Sequence, residues 1–255
     1  MNPGTLERDG ILDSILGTVG GTPLVRLARL LPGAQAQILA KLEGFNPLGS
    51  VKERIALRII EEAERRGELR PGMSILESSS GNTGIGLAMV GAVKGYPVVI
   101  TMPRKVSVER RRILHALGAT IVFTSAAGGS DEAWDLADRL CAESPGTYYR
   151  VGQYVNPDNV HAHEEGTAEE IWRQTGGRID WMVLTLGTCG TLVGLARRLK
   201  GRLPGLRFVS VEPQPKHRQQ GLRNMSESRV PPILDWSVVD ERMVIGDEEA
   251  FGAAR

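Results

Sequence analysis

The sequence has little cysteine, few aromatic residues, no long apolar run and almost no net charge. Its two cysteines, Cys141 and Cys189, stand far apart, which excludes a disulfide framework and a zinc knuckle. A reducing, cytoplasmic setting is the expectation that follows. The 31 Lys and Arg are matched by 30 Asp and Glu, so the chain lacks the basic excess on which phosphate-backbone affinity depends. Nucleic acid is therefore not an expected partner, and no metal site is expected from the scattered histidines. No segment reads as a membrane span: the best run, Met182 to Ala196, is broken by glycines and threonines and closely bounded by charge. Glu7, Arg8 and Asp9 occupy the place where a signal peptide would need apolar residues.

Glycine is what the sequence has in excess, 31 of 255 residues, against a usual share of about 7%. The glycines cluster between periodic segments, as expected of loops that handle a ligand. A chain of this mass buries about 70% of its unfolded surface, enough for one large core or two moderate ones. Val51 to Arg66 reads as a helix with Ile55, Ile59, Ile60 and Ala63 on one face and Gly67 as its stop. Strands are expected at Met73–Glu77, Pro97–Met102, Ala119–Thr124, Trp181–Leu186 and Leu206–Val211. Helices are expected between them, at Thr83–Lys94, through Glu109 to Gly118, at Asp131–Ala142 and at Leu192–Leu203. Such alternation predicts an α/β protein with parallel sheets covered by helices. The loop-rich stretch Tyr148–Asn159 is the expected crossing between two domains.

Three motifs carry chemistry. In Asn46-Pro47-Leu48-Gly49-Ser50-Val51-Lys52-Glu53-Arg54, Ser50 and Glu53 have capping-box spacing, which puts Lys52 at the second helical position. The positive end of the helix dipole disfavours an ammonium there, so the location suits an amine that attacks an aldehyde. A solvated lysine at a helix start is the plain alternative. In Glu77-Ser78-Ser79-Ser80-Gly81-Asn82-Thr83-Gly84-Ile85-Gly86 a strand end opens a helix, and the hydroxyls and free N–H groups suit a carboxylate. It is not a dinucleotide fingerprint, since the spacing is reversed and no acidic residue follows at the right distance. Leu186-Gly187-Thr188-Cys189-Gly190-Thr191-Leu192 repeats the strand–glycine–helix pattern and suits a phosphate, without the lysine ending of a nucleotide loop. An amine, a carboxylate loop and a phosphate loop together form a coherent set for pyridoxal 5'-phosphate.

With those motifs the chain resembles the fold-type II pyridoxal-phosphate enzymes (the tryptophan synthase β-like fold) and, within them, the cysteine synthase family. Further matches are Gly21 to Leu27, Lys41-Leu42-Glu43, Gln153 to Asn159 and Val209 to Pro213, in family order over nearly the whole chain. The resemblance implies two domains with parallel-type sheets. Residues 1–45 would start a large domain, 46–156 form a small mobile one, and 157–255 carry the phosphate site. It implies that Lys52 binds the cofactor and removes the substrate α-proton, and that Asn82 bonds the cofactor ring hydroxyl. Ser79, Ser80, Gly81, Thr83 and Gln153 would hold the substrate carboxylate. Gly187, Thr188, Cys189, Gly190 and Thr191 would hold the phosphate. The implied reaction is β-replacement: an O-activated L-serine and a sulfur donor give L-cysteine through an α-aminoacrylate. The partners implied are that amino acid, a sulfur donor (small or a sulfur-carrier protein) and a second copy in a homodimer.

The departures from the family pattern matter as well. Cys189 stands where a small residue is usual, as a filler or a redox group. Arg223, in Gly221-Leu222-Arg223-Asn224-Met225, resembles the M-type (B-type) members, including those acting on O-phospho-L-serine. A guanidinium suits a phosphate leaving group, and a solvated loop arginine is the alternative. Gly128-Gly129-Ser130 and Ser107 to Arg111 look like the same branch. The chain stops at Asp247 to Arg255, a helix that family members continue into a further segment with a Ser-Ser-Gly-like turn, so a shortened C-terminus is expected. Three readings follow: a cysteine synthase, a related β-replacer of the cystathionine β-synthase or diaminopropionate synthase kind, and a non-catalytic homologue that binds a partner.

Overall fold

The computed structural model describes residues 10–29, 33, 35–125 and 129–254, so Glu7–Asp9, Gly128 and Arg255 lie outside the described residues. The chain divides into two compact units, Gly4–Gln153 and Tyr154–Arg255.

The first unit opens with β1 (Leu24–Arg26) and β2 (Leu39–Lys41), a short antiparallel pair. Then come α1 (Lys52–Arg66), β3 (Ser74–Ser78), α2 (Asn82–Lys94), β4 (Val98–Pro103), α3 (Val108–Ala116), β5 (Thr120–Thr124), α4 (Gly129–Glu143) and β6 (Tyr148–Arg150). The parallel sheet runs β5-β4-β3-β6, with Ile75 opposite both Val98 and Tyr149. Ile55, Ile59, Ile60 and Ala63 are fully buried, the face that their spacing predicts, as are Ile75, Leu76, Leu87 and Ile100 of the same unit. Gly67 ends α1 at φ 70°, a left-handed conformation that costs glycine nothing. Gly91 is required by packing: a Cβ there would lie 2.3 Å from Val98 Cγ2 and 2.8 Å from the Tyr96 carbonyl.

The second unit holds α5 (Asp158–Ala162), a π-helical turn at His163–Thr167, α6 (Ala168–Thr175), β7 (Trp181–Thr185), α7 (Gly190–Lys200), β8 (Arg207–Pro213), β9 (Glu241–Ile245) and α8 (Asp247–Ala253). Its sheet is parallel in the order β7-β8-β9, with Val209 paired to both Val183 and Glu241. Ala168, Ile171, Leu195, Leu199, Leu206 and Phe208 form one core cluster on this sheet. The outer strands leave Trp181, Val183, Met243 and Val244 exposed. Among the described residues, no helix is long and apolar enough to cross a membrane.

One local expectation is corrected and one is refined. Helix α1 begins at Lys52 rather than Val51, because Val51 (φ −65°, ψ −18°) caps it as part of the preceding turn. Tyr148–Asn159 is not all loop: Tyr148–Arg150 pairs in parallel with β3, and Asp158 opens α5 behind Pro157. Three residues are too few to show an alternation, and proline pre-sets φ for a helix start.

Candidate active site

The start of α1 is fixed from below. The Glu53 carboxylate, fully buried, accepts hydrogen bonds from the Leu48 N–H (2.8 Å), the Ser50 N–H (2.8 Å) and the Ser50 hydroxyl (3.0 Å). This is the reciprocal arm of the capping box. The other arm differs from the expected one: Ser50 Oγ accepts from the Lys52 N–H at 3.2 Å instead of from residue 53. The Lys52 backbone is thereby tied into the turn that precedes it.

One residue further on, Arg54 forks onto Glu43, with Nε to Oε2 at 2.6 Å and Nη2 to Oε1 at 2.8 Å. Nη2 also donates to Thr22 Oγ1 at 3.1 Å, and the Thr22 hydroxyl donates to Glu43 Oε1 at 2.6 Å. Asn46 closes the network. Its amide donates to the Glu43 carbonyl (2.9 Å) and carboxylate (3.1 Å), and its carbonyl accepts from the Gly20 N–H (2.8 Å). Three motifs separated in sequence, Gly21–Leu27, Lys41–Glu43 and Asn46–Arg54, thus meet in one bidentate ion-pair network behind Lys52.

Helices α1 and α2 pack closely at Gly86, where a Cβ would lie 3.4 Å from the Lys52 carbonyl and 3.2 Å from Ala56 Cβ. Lys52 and Asn82 are the first residues of these two helices, so the packing brings the lysine turn beside the loop Ser79–Thr83. Ser79 Oγ accepts from the N–H groups of Gly84 (3.0 Å) and Gly81 (3.3 Å), so this hydroxyl caps α2. Ser80 and Asn82 are exposed. Thr83, buried, donates to Gln153 Oε1 at 2.6 Å, and Gln153 Nε2 donates to the Ser78 carbonyl at 3.4 Å. Beneath them the buried Glu77 carboxylate meets Arg150 Nη1 at 2.9 Å. Burial alone would lower the Arg150 pKa; the charge of Glu77 and bonds to Asp138 and Glu77 outweigh it and raise it.

In the second unit, Gly187–Thr191 joins the end of β7 to α7. Cys189 precedes α7 at φ 70°, and its side chain makes no cap on that helix. It is buried with Val160, Leu186, Leu192, Val193 and Met225. Gly190 has no room for a side chain: a Cβ would lie 1.9 Å from Asn159 Oδ1 and 3.0 Å from the Asn159 carbonyl. Gly187 approaches the Gly221 carbonyl, 3.1 Å from a Cβ position. A left-handed residue leading into a helix, with no cap from its own side chain, is a turn in which successive N–H groups can converge on an anion. With the hydroxyls of Thr188 and Thr191 beside it, this donor set fits a phosphate group.

Sequence reasoning missed His163. It is buried in the π-helical turn, with Nδ1 2.9 Å from Thr167 Oγ1 and Nε2 3.2 Å from Thr191 Oγ1, and so braces the phosphate-type loop from behind. The four-residue spacing to Thr167 is visible in the sequence; the link to Thr191 is tertiary. Arg223 is half-buried and packs on Tyr154. Its guanidinium lies 4.4 Å over the Tyr154 ring, donates to the Tyr154 hydroxyl at 2.9 Å and reaches the Arg229 carbonyl at 3.4 Å.

A family model described as pyridoxal-phosphate dependent enzyme matches residues 15–255, and the chain belongs to that family. Pyridoxal phosphate is the cofactor that this membership implies, and the fold is the fold-type II arrangement. Within the family the chain is of the cysteine synthase kind. It is 43% identical over 237 residues to cysteine synthase B of Pseudomonas aeruginosa, covering 93% of this chain and 79% of that one. It is 42% identical over 262 residues to cystathionine beta-synthase of Mus musculus, covering 96% of this chain but 46% of the relative, less than half its length. The solved cysteine synthase of Entamoeba histolytica matches with a TM-score of 0.90 at 40% identity, over 97% of this chain and 76% of that one.

Proposed function

We propose that the protein is a cysteine synthase, replacing the β-substituent of an O-activated L-serine with sulfur. The observation that carries this reading is the packing at Gly86, which sets the first residue of the lysine helix beside the loop Ser79–Thr83. Bound pyridoxal phosphate supplies an electron sink that makes the substrate α-carbon acidic. Lys52 would hold the cofactor through Nζ and, once displaced by the substrate amine, take the α-proton at that nitrogen. Asn82 would bond the cofactor ring hydroxyl. The N–H groups and hydroxyls of Gly187, Thr188, Cys189, Gly190 and Thr191 would seat its phosphate. The substrate carboxylate would lie on Ser80, Gly81 and the start of α2, with Thr83 and Gln153 in support. Ser79 contributes through its cap on Gly84, which holds the loop in shape.

Arg223 is the candidate for leaving-group recognition. Stacking on Tyr154 and the bond to its hydroxyl fix the plane of the guanidinium, whose remaining N–H groups suit phosphate oxygens. The near-equal identity to a cystathionine beta-synthase makes a thiol amino acid the second candidate nucleophile.

The test is an absorbance titration of the cofactor-loaded protein with O-acetyl-L-serine and with O-phospho-L-serine, followed by sulfide or homocysteine and mass-spectrometric product analysis. The visible band should shift with the true donor, and sulfide should restore it with release of L-cysteine. Neither donor shifting the band would refute the reading. Arg223→Ala should weaken use of the phosphorylated donor about tenfold or more and leave the acetylated donor within about twofold, the loss expected for one charge-assisted bond. Equal loss with both donors would return Arg223 to a purely structural part.

A further inference from the structure

The stretch from Arg104 to Arg112 carries Arg104, Lys105, Arg110, Arg111 and Arg112 against a single carboxylate, Glu109. That carboxylate is engaged at the start of α3. Its own backbone N–H and the Ser107 hydroxyl hold it below the usual carboxylate range. Among the described residues, no carboxylate lies within ion-pair distance of Arg104, Lys105, Arg111 or Arg112, whereas Arg54, Arg150, Arg198 and Arg202 all have one. Two of these unpaired cations are held in place. The guanidinium carbons of Arg104 and Arg111 lie 5.3 and 5.1 Å from the centre of the Phe123 ring, and Arg111 also donates to the Val106 carbonyl at 2.6 Å. Aromatic stacking and carbonyl contacts fix a guanidinium without cancelling its charge. Lys105 and Arg112 are exposed.

This basic face is joined to the candidate site. Arg110 Nη1 donates to the Ser80 carbonyl at 3.1 Å, bridging α3 to the tip of the loop Ser79–Thr83. The charges therefore stand within a nine-residue span whose innermost member touches that loop. The Debye length is about 8 Å at physiological salt, so a charge that touches the loop, as Arg110 does, acts on a ligand arriving there, and its neighbours along the span add to the same field. A protein of formal net charge +1 with a local cationic face at its site is arranged to raise the encounter rate of anions without becoming a general polyanion binder.

We infer that the Arg104–Arg112 face is a recruiting surface for a net-anionic substrate, and that the activated serine it serves is the phosphorylated one. This rests on the β-replacement reading above. A phosphoserine carries its phosphate charge beyond a self-cancelling ammonium and carboxylate, whereas an acetylserine is neutral overall. The cluster should accelerate the first and ignore the second.

Stopped-flow absorbance of the cofactor-loaded protein separates the cases. The association rate constant for O-phospho-L-serine should fall about tenfold between about 0.02 M and about 0.5 M salt, while that for O-acetyl-L-serine stays flat. In the Lys105→Gln/Arg112→Gln variant the low-salt rate for the phosphorylated donor should drop several-fold and its salt dependence flatten. The spectrum at saturation should be unchanged, because neither side chain touches the loop. Equal rates and equal salt slopes in wild type and variant, with spectra that still respond, would overturn the recruiting face and leave the β-replacement reading intact. A response to the acetylated donor alone would overturn it as well. Silence toward both donors would overturn both.

Discussion

Replacing Lys52 with alanine should release the cofactor from covalent attachment and reduce turnover by about four orders of magnitude or more, the scale seen when one group both anchors the chemistry and moves the proton. The fold should survive. The Lys52 side chain is only partly buried, the turn before it is held by Glu53, and alanine is a good residue for the first turn of a helix. Thermal unfolding of the cofactor-free variant should stay within about 0.5 kcal/mol of the parent. Borohydride reduction of the parent, followed by peptide mass spectrometry, should place the added mass on the peptide containing Lys52 and nowhere else. Finding it on Lys41 or Lys94 would remove the foundation of the assignment.

Arg54→Ala should be the most damaging single change to stability. It deletes the bidentate partner of Glu43 and a donor to Thr22, which is itself fully buried. Removing one member of a buried pair strands the other, at a cost of about 3–5 kcal/mol. The Glu43 side chain retains 19% exposure against 5% for Arg54, so water offsets part of the loss and the lower end of that range is expected. Arg54→Lys keeps the charge without the fork and should fall between alanine and the parent. Urea unfolding of the cofactor-free protein measures all three. An alanine midpoint equal to the parent's would mean that the network holds nothing. Because the same residues join β1 and β2 to the helix that begins at Lys52, the alanine variant should also lose affinity for the cofactor.

Much of this architecture is legible in the sequence because its signals are local. The isoleucine spacing of α1 and the glycine at its end need no tertiary information. The strands β3, β4, β7 and β8 are apolar runs bounded by turns, and each glycine loop sits where a strand meets a helix. What escaped depends on long-range contact. The pairing of Tyr148–Arg150 with β3 is set by a partner far along the chain. Nothing in the strings around Thr22, Glu43 and Arg54 says that they converge, although each motif is conspicuous alone. His163 reads as one histidine among four until Thr191 is brought to it by the packing of α7 on the π-helical turn. Arg223 was visible as a charge in an unusual place, but its rigidity comes from Tyr154, which ordinary loop reasoning would leave in solvent.

Cys189 gives the molecule an internal clock. Its thiol is sealed among aliphatic side chains at the turn leading into α7, whereas Cys141 is half-buried, with desolvation pushing its thiol upward. An alkylating reagent can meet Cys189 only in the moments when that turn opens, so its rate of modification counts those openings. The same bottle of reagent therefore reads out how firmly any anion seated on the turn holds it shut, without reference to catalysis.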